Sequence, residues 1–199
     1  HSGQSPRKVN LLVDIQAKLA EGKGAGYERW AKVFNLKQMA AALAYLQDNG
    51  LTEYGELEKK AAETTDCFHV LSDRIKQTEN AMNTNRELKT ATVQYARTRP
   101  VFEKYKAAKY SRKFLAEHEA DIELYRAAQA DLKRLLDGAK LPKMDVLKEE
   151  GRKLAEQKRK LYAEYQRVRR DMQEVNTAKA NIDYLLGYAG QDKKKEQER

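Results

Sequence analysis

Between Met144 and Leu186 one spacing repeats without a break: Met144, Leu147, Gly151, Leu154, Lys158, Leu161, Tyr165, Val168, Met172, Val175, Lys179, Ile182, Leu186. The steps alternate between three and four residues through about six heptads, the pattern of a helix with one apolar seam. Such a seam is wide enough for a single partner helix. A long rod with a narrow seam does not enclose a catalytic pocket, so the pattern predicts a binding or spacer module.

A second stretch with the same alternation supplies the partner. From Thr52 to Arg99, Leu57, Ala61, Thr64, Phe68, Leu71, Ile75, Thr78, Met82 and Asn85 share one stripe, and Leu88, Thr92 and Tyr95 continue it after a phase shift of one residue. A shift of that kind marks local overwinding or a skip. Each rod would be about 65 Å long at the usual helical rise. The two rods lie in one chain with an insert between them, so antiparallel pairing within the chain is the simplest arrangement, although the pattern also allows pairing between two copies. Thr64, Thr78, Asn85, Lys158 and Lys179 stand where a strong zipper would place Leu, and polar seam residues fix register at a cost in stability.

Composition agrees. Charged residues make up 35% of the 199 residues, there are only 3 Pro and 10 Gly, and the mean hydropathy is -0.88. No run of β-branched or aromatic residues alternates with polar ones, so an all-α fold is predicted. Residues 1–51 are expected to form a small N-terminal helical bundle. Residues 52–187 are expected to form the long antiparallel coiled-coil hairpin, with rods at 52–99 and 143–186 and a helical tip at 100–142. The remainder, 188–199, is too polar to pack and reads as a disordered tail.

Within the N-terminal bundle, Ser5-Pro6 is a good helix start, and Val9, Leu12, Val13, Ile15, Gln16 and Leu19 give one stripe. Gly22-Lys23-Gly24-Ala25-Gly26 interrupts it. A short helix is predicted from Tyr27 to Phe34, with Trp30 as its core anchor. Another starts at an Asn35 cap, carries Leu36, Met39, Ala40, Leu43 and Leu46 on one face, and stops at Asp48-Asn49-Gly50. Pro100 is expected to end or kink the first rod, because it lacks a backbone donor and crowds the preceding turn. In the tip, Ser111 caps one helix and Glu119 to Leu136 forms another.

The net charge is +9 and it is unevenly spread. Residues 86–114 carry nine basic side chains against two acidic ones, whereas residues 53–85 and 115–139 are net acidic. From Tyr95 to Phe114, Arg97, Arg99, Lys104, Lys106, Lys109, Arg112 and Lys113 alternate with Tyr95, Phe102, Tyr105, Tyr110 and Phe114. Phosphate binding needs cations on long stems, and single-strand binding adds aromatic faces for stacking. The alternative is that the rings form the hydrophobic core of the tip while the cations are solvated; the two arrangements are compatible. Lys23, Arg29 and Lys32, around Tyr27 and Trp30, make a second and smaller candidate phosphate contact.

Motifs for catalysis are missing from the sequence. His1, His69 and His118 are too scattered for a metal motif, and His118 between Glu117 and Glu119 reads as a solvated helical histidine. The G-x-G at Gly22 follows a helix rather than a strand, which is the wrong setting for a dinucleotide site. No catalytic residue, cofactor or metal is expected. Cys67 is the one cysteine, which excludes an internal disulfide; beside Phe68 in a helical pattern it reads as a buried thiol. No apolar run approaches the roughly 20 residues of a membrane span.

Three phrases, VNLLVDIQAKLAEGKGAGYERWAKVFNLKQM (9–39), YSRKFLAEHEADIELYRAA (110–128) and TAKANIDYLLG (177–187), resemble the region that follows the nuclease domain in relaxases. These are the mobilisation nucleases of conjugative and integrative elements of Gram-positive gut bacteria. The resemblance spans roughly residues 7–187. Relaxases nick one strand at a transfer origin with a tyrosine nucleophile and a histidine-bound metal. This chain has no counterpart of the histidine cluster, and its eleven tyrosines lie in or beside helical stripes, so none of the family's catalytic residues can be carried over. The resemblance therefore implies a non-catalytic, cytoplasmic module. Its partners would be DNA, bound largely without sequence preference, and relaxosome or coupling proteins, with homodimerisation compatible. A coiled-coil protein-interaction scaffold without DNA contact is the alternative.

Overall fold

The computed structural model describes residues 10–25, 27, 28 and 36–187. Its elements are α1 (Leu11–Glu21), α2 (Leu36–Asp48), α3 (Tyr54–Ala107), α4 (Arg112–Glu117), α5 (Glu119–Leu136) and α6 (Met144–Leu186). No strand occurs among the described residues, so the fold is all-α as predicted, and α6 covers the repeated spacing from Met144 to Leu186. None of the described helices is long and apolar enough to cross a membrane. The Ser5-Pro6 helix start, Val9, the Trp30 anchor, the Asn35 cap and the polar tail at 188–199 fall outside the described residues. The chain forms two compact units, one of residues up to Leu71 and from Glu164 onward, the other Ser72–Ala163.

In the first unit, α1 begins at Asn10, whose side chain accepts from Leu12 N at 3.0 Å. Its buried stripe is Leu11 and Ile15, with Leu12 and Leu19 beside them. Val13, expected in that stripe, is exposed, because it lies about 200° around the helix from both buried residues. Gly22, at φ 59°, ends the helix in the left-handed conformation. In α2 the inward residues are Met39, Ala42, Leu43, Tyr45 and Leu46, while Ala40 turns outward. Gly50 N donates to Gln47 O and Leu51 N to Leu46 O, a Schellman cap that needs the positive φ of Gly50. Burial pushes the Tyr45 hydroxyl up to about 12, assisted by the nearby Glu174 and Asp171 carboxylates. The first-unit core joins these residues to Leu57 and Ala61 of α3 and to Val175, Ala178, Ile182 and Leu185 of α6.

Pairing of α3 with α6 is antiparallel in each unit. In the first, Tyr54 Oη donates to Asp183 Oδ1 at 2.6 Å and the Phe68 and Tyr165 rings stand 5.0 Å apart. In the second, Lys158 Nζ lies 3.4 Å from Glu79 Oε1, and Asn85 Nδ2 donates to the Leu147 carbonyl at 2.8 Å. Later residues of α3 meet earlier residues of α6 throughout. Every seam position of α6, from Met144 to Leu186, is buried or half-buried. Cys67 is not: the thiol is exposed, because a one-stripe seam takes Thr64, Phe68 and Leu71 and leaves their neighbours outside.

Polar seam residues divide into two kinds, a distinction the spacing did not reveal. Thr64, Thr78, Thr92 and Thr98 each donate Oγ1 to the carbonyl four residues earlier in α3, at 2.7, 2.9, 2.6 and 2.7 Å. They satisfy themselves and hold no register. Asn85 and Lys158 reach across to the other helix. Lys179 pairs within α6 to Asp183 at 2.7 Å, and it is Asp183 that takes the Tyr54 hydroxyl. A hydrogen bond to a charged group contributes about 1.5–3 kcal/mol, against about 0–1 for the half-exposed Lys158–Glu79 pair.

The phase shift after Asn85 has a structural cause. From Leu88 on, α3 packs against α5 as well as α6: Leu88 and Ala91 share a core with Leu132 and Leu147, flanked by Tyr95, Leu135, Leu136 and Leu141. Two neighbours widen the buried stripe, which then includes Ala91 and Thr98. Pro100 does not end the helix, which continues to Ala107. Pro100 and Ala96 both lie on the exposed face, so the carbonyl left without its donor can be hydrated.

Close approach sets the register at Gly151. A Cβ there would stand 2.7 Å from Asn85 Oδ1 and 3.3 Å from Lys89 Nζ. Gly to Ala in a helix ordinarily gains about 1 kcal/mol. Gly151→Ala should instead lower the melting temperature, and Asn85→Ala added to it should recover much of the loss. A rise in melting temperature with Gly151→Ala alone would contradict this packing.

Candidate nucleic-acid interface

The basic segment is the end of α3, the turn after it, and α4, all within the second unit. The α3 terminus is another Schellman cap, in which Lys109 N donates to Lys106 O and Tyr110 N to Tyr105 O. Here the left-handed positions belong to Lys109 and Tyr110, at φ 54° and 58°. Side-chain-bearing residues pay roughly 1–2 kcal/mol each for that conformation. Ser111 then starts α4, its hydroxyl accepting from Phe114 N at 3.4 Å. His118 closes α4, donating its N–H to Phe114 O and Leu115 O, and passes directly into α5.

Rings fill the inside of this turn. Tyr125 of α5 stacks on Tyr95 at 5.1 Å and on Phe102 at 4.1 Å. Phe102 meets Tyr105 edge-on, Tyr105 stacks on Phe114 at 5.9 Å, and Phe114 covers His118 at 4.3 Å. Tyr105 is buried, whereas Tyr110, which meets the Tyr105 ring edge-on, is half open to solvent. His118 is thus a half-buried cap under a ring, not the solvated helical histidine expected. Nonadjacent aromatic pairs of this kind contribute about 0.5–1.5 kcal/mol each beyond burial. Rings so engaged are not free platforms for bases.

Cations cover the outside. Arg97, Arg99, Lys104, Lys106, Lys109, Arg112 and Lys113 are all exposed. Arg99 approaches Glu103 at 4.0 Å. Among the described residues the other six form no ion pair. Basic residues elsewhere in the unit behave differently: Arg134 bridges Glu87 and Asp131, and Arg152 bridges Glu149 and Glu156. Six unneutralised charges within seventeen positions create a local positive potential suited to a polyanion. Lys23 is exposed in the turn after α1, in the other unit, while Arg29 and Lys32 lie outside the described residues.

Sequence reasoning missed Tyr125 as the ring that joins Tyr95 to Phe102. Its signal was present in the α5 stripe, where Ile122, Tyr125, Ala128 and Leu132 recur at helical spacing and are all buried. Leu124 sits at the open edge of that stripe. Among the described residues no group of three or more His, Cys, Asp or Glu is placed to hold a metal ion.

Two outcomes follow from this geometry. Lys109→Gly should raise stability by about 1 kcal/mol in denaturant melts, since glycine removes the left-handed penalty. The Tyr125 hydroxyl is pushed up to about 12, first by its hydrogen bonding with Tyr95 and then by burial. A phenol harder to ionise when folded contributes stability present below its ordinary value of 10.0 and lost as pH rises through about 12. Melting temperature should fall over that window, with Tyr45 contributing to the same loss, and less steeply for Tyr125→Phe; identical alkaline profiles would contradict the assignment. Comparison with family models, with curated proteins and with solved structures finds no match to this chain.

Proposed function

We propose that this chain is a non-catalytic DNA-binding and assembly module of a conjugative relaxase, acting in the cytoplasm beside the transfer origin. The observation that carries the DNA contact is the set of exposed, unpaired cations on Arg97, Lys104, Lys106, Lys109, Arg112 and Lys113, held on an ordered aromatic knob. The relaxase assignment rests on the three phrases at 9–39, 110–128 and 177–187. Cations projecting from helix ends contact phosphates and position a protein; they carry little base information. With Tyr95, Phe102, Tyr105 and Phe114 packed on one another or on Tyr125, binding by backbone charge is favoured over base stacking. Affinity for duplex and single strands should therefore follow charge density.

The test is fluorescence anisotropy on labelled oligonucleotides across a salt series. Replacing Arg97, Arg99, Lys104 and Lys106 together by Ala should weaken binding and flatten the dependence on log salt by about 1 for each cation in contact. Unchanged affinity at fixed salt would refute the assignment of this surface. The alternative reading, a coiled-coil scaffold for proteins, is favoured by one observation of its own, an open groove between α3 and α6 that exposes Val93 beside Met144.

A further inference from the structure

An open groove of about 590 Å³ runs between α3 and the first turns of α6, inside the second unit. Its apolar lining is Val93, 58% exposed, and Met144. Lys89, Arg97 and Lys148 stand around it, and no acidic side chain lines it. Gln94, also in the lining, is held by donating Nε2 to the Leu124 carbonyl at 2.7 Å. Among the described residues none of the three cations is in an ion pair. Val93 turns away from the stripe of Leu88, Ala91 and Tyr95, and with Met144 it presents apolar surface beside the three cations.

We propose that this groove docks an acidic peptide segment, one that places a single aliphatic or aromatic side chain on Val93 and Met144 and carboxylates against Lys89, Arg97 and Lys148. Charge complementarity selects the sign of the partner, and the apolar lining selects its class. A phosphodiester backbone would meet the cations but has no group whose transfer onto Val93 removes apolar surface from water. A peptide has both. Arg97 adds directionality, because a guanidinium can take a carboxylate through two parallel hydrogen bonds. The proposal stands on the groove alone and does not depend on DNA binding, although Arg97 belongs to both surfaces.

The experiment uses the full chain and two fluorescein-labelled peptides of glutamate and glycine, identical except for a central Leu in one and Ser in the other. The Leu peptide should bind about tenfold more tightly than the Ser peptide. Val93→Ser should cut that advantage to about twofold or less while leaving the Ser peptide unchanged. Lys148→Glu should weaken both. Val93 is exposed, so the helical content of Val93→Ser should match wild type. A labelled duplex should bind Val93→Ser as it binds wild type, which separates this groove from the DNA reading. Equal binding of the two peptides, an undiminished Leu preference in Val93→Ser, or no peptide binding together with a duplex weakened by Val93→Ser would each overturn the proposal.

Discussion

A helix with one apolar stripe cannot stay dry alone, and this constraint organises both units. Over most of its length the stripe on α6 is about one residue wide per turn and is covered by α3 running the other way, and from Val175 to Leu185 it widens to take α1 and α2 as well. Leu57 and Leu147, each fully buried, lie where further helices join the pair, while Leu154, Leu161 and Tyr165 between them are half-buried. Because most seam contacts are interchangeable aliphatic ones, the polar crossings decide which residues face each other. Asn85 reaching the Leu147 carbonyl beside Gly151 favours one alignment, since sliding either helix by a turn would put a Cβ where Gly151 now admits the amide. Tyr54 on Asp183 does the same work in the other unit.

Where a third helix joins, the same rule gives a different result. Beyond Leu88 the stripe on α3 must serve α5 and α6 together, and it broadens to include Ala91 and Thr98. The aromatic knob is the continuation of that widened stripe past Pro100. Large rings fill the space that opens where α3 ends and the chain turns through α4 into α5. The cations have no such option. The nearby acidic partner, Glu103, approaches Arg99 alone, so the other charges stay hydrated and available. The rings thereby give a packed base to an exposed cationic surface.

A packed cationic knob and a basic groove with an apolar lining are surfaces for different partners. The first is proposed here for a polymer of phosphates, the second for a peptide. Both lie in the same unit and share Arg97, so occupancy of one bears on the other.

Periodicity alone determined the helical class, the span of α6, the stripe on α3 up to Asn85, and the cationic segment with its rings, because each is a property of local sequence spacing. The sequence also placed Ser111 as a cap and Glu119–Leu136 as a helix. Tertiary structure decided the rest. Whether Pro100 breaks a helix depends on whether its orphan carbonyl faces water. The exposure of Cys67 and Val13 depends on how narrow a stripe the neighbouring helices cover. Thr64 and Asn85 look alike as polar seam residues, yet one bonds its own helix and the other crosses to α6. Spacing records which residues share a face; only packing shows what that face meets.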